Sequence, residues 1–173
     1  ILLRSLASDI PLFSRNQAAG DYNLRLWNLL DDNSYAVFVN LAHEDPVLRE
    51  LFMDVRTRIA LSLAIDRDEI NDKLFFGMAE PRPVTLARSS HYYPDDLEYK
   101  YIEYDPERAK AILDELGVVD RNGDGWRELP NGSPLKLKFT HCSRVSGPEL
   151  PELLISYWRD IGIDIDMEVI SWE

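Results

Sequence analysis

One cysteine and three histidines in 173 residues narrow the chemistry available to this chain before any pattern is read. Cys142 by itself rules out an internal disulfide, although it does not fix the compartment, since many exported proteins carry no disulfide. His43, His91 and His141 are scattered, and no spacing matches zinc ligands, so no metal is expected. No run of about 18 apolar residues occurs, which excludes a membrane-spanning helix. Positive charge is also scarce. Lys and Arg number 19 against 31 Asp and Glu, a formal charge of -12, and no basic cluster stands out, so nucleic acid and acidic membrane surfaces are excluded as expected partners. Internal repeats and low-complexity tracts are lacking too. The sequence opens abruptly at Ile1 without a basic leader or cleavage site, which reads as a cut start.

What is present is the composition of a globular domain, 45% apolar and 29% charged, with enough chain for one core. Residues 23–27 alternate and residues 35–41 form a nearly continuous apolar run, with turn chemistry at 31–34 between them; both read as strands. Asp45-Pro46 is a cap followed by a first-turn proline and predicts a short helix through Phe52. Over 54–65, Val55, Ile59, Ala60, Leu63 and Ala64 share one helical face. Asp66 three residues before Glu69 is a capping-box pattern, and a helix is expected over 67–76 with Gly77 as its stop.

From Met78 to Tyr104 prolines and tyrosines accumulate without a period, and Gly and Ser are too few for a linker; this reads as a long ordered loop. Asp105-Pro106 then repeats the capped start, with Ala109, Ile112, Leu113 and Leu116 as the apolar stripe and Gly117 as the stop. Leu135, Leu137 and Phe139 alternate with Lys136 and Lys138 in a half-buried strand, a helix is expected over 148–161, and Ile163, Ile165, Met167 and Val169 alternate with acids in a last strand. Strand, helix, strand predicts a βαβ unit with parallel strands. The fold class is α/β, mixed α+β, with a small mixed sheet flanked by helices. Trp126 and Trp158 are expected in the core.

Several blocks resemble the family 5 extracellular solute-binding proteins, the dipeptide, oligopeptide, nickel and oligosaccharide receptors of ABC importers. The signature is carried by residues 45–49 (DPVLR) and 54–70 (DVRTRIALSLAIDRDEI), preceded by the run at 35–40. Residues 77–81 (GMAEP), 104–110 (YDPERAK) and 161–165 (IGIDI) follow in order. The resemblance covers residues from about Asp9 to Glu173, and residues 15–17 (RNQ) are similar to the branch that includes oligosaccharide receptors. It implies a periplasmic-binding-protein-like lobe that is incomplete relative to the two-lobe protein. Residues 1–173 would be a single partial domain, part of the second, C-terminal lobe, with 1–22 near the inter-lobe connection. The implied function is capture of oligopeptides or oligosaccharides in a cleft between lobes and delivery to a membrane permease. The implied setting is the periplasm or a cell-surface lipoprotein, and the implied partner is the missing first lobe of the same polypeptide. No enzyme activity, catalytic residue or cofactor is expected.

Four residues are candidates for contact with ligand. In the family, the strand matching Tyr35 and Asn40 lies near the hinge and cleft. Arg88 and Tyr92, with Ser89, Ser90 and Tyr93, offer aromatic faces and polar groups suited to a wet cleft. The competing reading is that the tyrosines pin the long loop to its own lobe. Residues 120–128 (DRNGDGWRE) resemble the first nine positions of an EF-hand loop, with Asp120, Asn122, Asp124 and Glu128 as oxygen donors. Position twelve is Asn131 rather than a bidentate acid, so a plain turn is the expectation. His141 and Cys142 are strand neighbours that point to opposite faces, which excludes a nucleophile and base pair. A calcium-stabilised interaction domain and a hydrolase built on paired carboxylates are the alternatives.

Overall fold

Aspartates begin four of the described helices, each through its side chain. The computed structural model describes residues 9–25, 35–84, 86, 90–93, 99–143 and 147–171. Two short helices come first, α1 (Ile10–Arg15) and α2 (Gln17–Gly20), a segment to which periodicity assigns nothing. Asp45 then accepts from the Val47 N–H at 2.8 Å to start α3 (Pro46–Met53), and Asp54 accepts from the Arg56 N–H at 2.8 Å to start α4 (Val55–Leu63). Asp66 does the same for α5 (Arg67–Phe75) through the Glu69 N–H, and Asp105 for α6 (Pro106–Glu115) through the Arg108 N–H. Each side-chain oxygen satisfies a donor that the first turn leaves without an intrahelical partner. Only half of the capping box at Asp66 forms, because the Glu69 carboxylate turns instead to Lys73 and Tyr157.

The βαβ unit is present: β1 (Lys136–Cys142) and β2 (Asp164–Ile170) are parallel, in register from Lys136 opposite Asp164 to Cys142 opposite Ile170, and α7 (Glu149–Asp160) connects them. The pleat sorts the side chains. Leu137, Phe139, Ile165 and Met167 contribute to the core, while Lys136 pairs with Asp166 at 3.2 Å and Lys138 with Glu168 at 3.5 Å on the wet face. The sheet ladder is parallel rather than mixed among the described residues, with antiparallel character confined to single bridges of Glu128 to Val119 and to Pro134.

Neither of the first two expected strands appears among the described residues. Residues 23–25 are irregular, and residues 26–34, with the turn expected at 31–34, lie outside the described residues. Residues 35–40 join no ladder. An apolar run satisfies strand propensity, but a strand exists only where a neighbour takes its main-chain groups, and among the described residues no segment pairs with this one.

The core gathers where α6 crosses α4 and where α7 covers the sheet. Leu63, Leu113, Val118, Leu135, Ile161 and Ile163 are its fully buried centre. Trp158 is there as expected, its ring 5.8 Å from Phe139 and its indole N–H donating to the Leu61 carbonyl at 2.9 Å, so that α7 is tied to the end of α4. Trp126 is not a core residue; it is 38% exposed, because the turn that carries it lies on the surface and aims the ring outward. No described helix is long and apolar enough to cross a membrane.

Candidate functional site

Tyr35 opens the extended segment and packs its ring 5.6 Å from Phe75, the last residue of α5. From there Val37, Phe38 and Leu41 stand exposed, Phe38 at 82%, while Val39 turns inward against the core. At the far end Asn40 accepts the Ala42 N–H on its side-chain oxygen at 3.0 Å and the His43 N–H on its carbonyl at 3.2 Å, which turns the chain toward α3. The Asn40 side chain is therefore already a turn former. Tyr92 is 80% exposed and leans on the neighbouring His91, with its own N–H donating to the Ser90 hydroxyl at 3.2 Å. Arg88 lies outside the described residues. No hydrogen bond or ring contact among the described residues joins Tyr35, Asn40 and Tyr92. Two of the four candidates, Tyr35 and Tyr92, nonetheless present free aromatic surface, and Phe76 and Met78 just past α5, which the sequence reading did not single out, add exposed apolar surface.

The turn at 120–128 is closed by its own side chains. Asp120 accepts from the N–H groups of Gly123 and Gly125 at 2.7 and 2.9 Å, and those two donors hold its carboxyl below the usual range. Asn122 donates to Asp124 at 3.1 Å and to Glu128 at 2.9 Å, while the other Glu128 oxygen takes the Arg121 N–H at 2.7 Å. The carboxylates of Asp120, Asp124 and Glu128 do approach within 4.8 Å of one another, the sole such group among the described residues. Asn131 spends its side-chain oxygen on Ser133, at 3.0 and 2.7 Å from the amide nitrogen and the hydroxyl, and so closes a separate turn.

Arg127 emerges as the organising side chain here, and neither periodicity nor motif pointed to it. Its guanidinium donates to the carbonyls of Ile161 and Val118 at 2.7 and 2.6 Å and pairs with Asp114 at 2.5 Å, while its N–H donates to the Gly162 carbonyl at 2.8 Å. It joins the ends of α6 and α7 beneath an open cleft of about 440 Å³. That cleft carries charges of both signs, including Lys110, Asp120 and Asp160, and contains none of Tyr35, Asn40 or Tyr92. His141 is buried on one face of β1 and Cys142 falls on the other, so no nucleophile with a base is assembled from them.

Comparison with known proteins adds the context that this geometry lacks. Residues 5–173 match the family model described as "Bacterial extracellular solute-binding proteins, family 5 Middle". A solved oligopeptide-binding protein OppA superposes on 95% of the chain with a TM-score of 0.82 and 38% identity, the chain covering 26% of that protein. The oligopeptide-binding protein AppA of Bacillus subtilis is 29% identical over 124 residues, 71% of this chain and 23% of AppA. A periplasmic oligopeptide-binding protein of Thermotoga maritima, solved with mannohexaose bound, gives a TM-score of 0.51 at 26% identity over 68% of this chain and 23% of its own. The chain thus spans about a quarter of the length of each.

Proposed function

Since the chain belongs to the bacterial extracellular solute-binding proteins of family 5, we propose that it is part of the second, C-terminal lobe of the substrate-binding component of an ABC importer. In this reading the whole protein captures oligopeptides or oligosaccharides between two lobes and presents the closed form to a membrane permease. It works outside the cytoplasm, in the periplasm or as a cell-surface lipoprotein, and performs no covalent chemistry. The observation that carries the reading is the likeness to OppA over 95% of the chain at 38% identity. Relatives whose names or contents specify a ligand include oligopeptide-binding proteins and one with mannohexaose, hence the two ligand classes.

The surface supports a lobe that works with a second wall. Tyr35 and Tyr92 offer exposed rings, yet neither lies in an enclosed pocket, and a single wall excludes little water. In the whole protein Tyr35, Asn40, Arg88 and Tyr92 would face ligand from this side, and the first lobe would close over them. Calorimetry with peptide and oligosaccharide panels on the 173-residue chain and on the full-length protein tests both parts. The full-length protein should bind a member of one panel, and the chain alone at least about tenfold more weakly, some 1.4 kcal/mol. Equal affinity would place the site wholly within these residues and defeat the two-lobe assignment. Full-length variants at Tyr35 and Tyr92 should weaken binding; unchanged affinity in both would remove them from the site.

A further inference from the structure

Residues 99–105 bring the long loop back to α6, and none of their side chains belongs to the buried core. Tyr99 and Tyr104 are 58% and 50% exposed. The segment is held instead through its main chain, at the junction of α4 and α5. The Ser62 hydroxyl donates to the Tyr101 carbonyl at 2.7 Å, Arg67 Nη1 donates to the Ile102 carbonyl at 3.3 Å, and the Asp105 N–H donates to the Leu63 carbonyl at 2.8 Å. The same guanidinium donates to the Ser62 and Ile65 carbonyls at 2.9 and 3.3 Å and to the Ser62 hydroxyl at 2.7 Å. Thus Arg67 holds the last turn of α4 with one set of bonds and the loop with another. Every one of these acceptors is neutral, and burial lowers the pKa of the side chain from its ordinary value.

Two further features show that the latch, and not the loop, sets this conformation. Tyr101 has φ 59, in the left-handed region that an aromatic residue rarely occupies unless its surroundings impose it. Other contacts of the segment include the Glu103 to Arg108 ion pair, which stands in solvent, the Tyr99 hydroxyl donating to Glu80 at 3.4 Å, also exposed, and the rings of Tyr104 and Tyr157, 6.4 Å apart.

We propose that residues 99–104 form a strap, latched by Ser62 and Arg67, that opens as a unit about Asp105, which remains the cap of α6, while the helical core stays folded. A cleft of about 280 Å³ is lined by Asp66 and Asp68 at the start of α5, by Pro81, and by Tyr99, Ile102 and Glu103 of the strap. Opening removes the strap's part of that lining and releases Arg67 from Ile102. Local openings of this kind occur where few apolar contacts and a handful of main-chain bonds hold a segment.

Hydrogen exchange resolved by residue tests this. In the native chain the Asp105 amide should exchange at a rate nearly independent of low urea concentrations, whereas Leu113 in α6 and Trp158 in α7 should follow global unfolding. A urea dependence at Asp105 as steep as at Leu113 would overturn the proposal. Arg67→Met should speed exchange at Asp105 at least tenfold and keep its urea dependence shallow, while Leu113 and Trp158, whose rates rise because the lost bonds also count against global unfolding, keep their steep dependence. No acceleration at Asp105, or a urea dependence there that becomes as steep as at Leu113, would show that Arg67 is not a latch. Should Arg67→Met fail to fold, Ser62→Ala is read by the same criterion, and the urea dependence of the native chain decides by itself.

Discussion

The hydroxyl of Tyr157 in α7 donates to the carboxylate of Glu69 in α5, and the same carboxylate takes the ammonium of Lys73 one helical turn later at 2.5 Å. Two helices far apart in sequence are thereby joined by a chain of polar groups at the edge of the core. Lys73 and then Tyr157 hold the Glu69 carboxyl below its ordinary range, while burial first, and the carboxylate second, push the Tyr157 hydroxyl well above its own.

Stability should therefore fall at both ends of the pH scale. Glu69, depressed in the folded state, contributes above its unfolded pKa of about 4.3, and that contribution disappears as pH falls through the folded value. Tyr157, raised in the folded state, contributes below its unfolded pKa of about 10, and the contribution declines as pH rises past it. Tyr157→Phe should lower Tm by about 2–5 °C at pH 7 and flatten the alkaline limb of a Tm against pH curve. An unchanged alkaline limb would show that the hydroxyl titrates alike in both states.

Arg127→Met should cost about 3 kcal/mol in a urea melt, because two buried carbonyls, those of Ile161 and Val118, lose their donor and Asp114 its partner. A loss below about 1 kcal/mol would mean that water replaces the guanidinium at the cleft.

Gly162 follows α7 with φ 86, and a Cβ there would stand 3.2 Å from Arg127 Cγ and 3.3 Å from the Gly125 carbonyl oxygen. Gly162→Ala should therefore destabilise by about 1–2 kcal/mol, through left-handed backbone strain and through displacement of Arg127. Combined with Arg127→Met, the two losses should be less than additive in a double-mutant cycle.

Calcium at millimolar concentration should change Tm little relative to chelator, because Asp120 and Glu128 already accept main-chain donors and Asn131 supplies no bidentate acid. A rise of more than about 5 °C would identify Asp120, Asp124 and Glu128 as a genuine ion site despite those bonds.

Local rules, which need only a few neighbouring residues, were legible from the sequence. Asp45, Asp66 and Asp105 cap their helices as read because an N-cap requires just a side-chain oxygen two or three residues before a waiting N–H. The alternation of Ile163, Ile165 and Met167 set one face of β2 against the core for the same local reason, and the ordered blocks around residues 54–70 were enough to identify the family. Tertiary structure alone decided what depends on a distant partner. Residues 35–40 carry strand propensity but form no ladder, since pairing needs a second edge that propensity does not supply. Nothing local marks Arg127 until two separate segments, the ends of α6 and α7, bring carbonyls and a carboxylate around it, and Trp126 reads as core until its turn is seen to lie at the surface. The candidate site divides in the same way: the residue types suited to ligand contact can be read along the chain, but whether Tyr35 and Tyr92 face one cleft depends on surfaces brought together by folding, which no local pattern encodes.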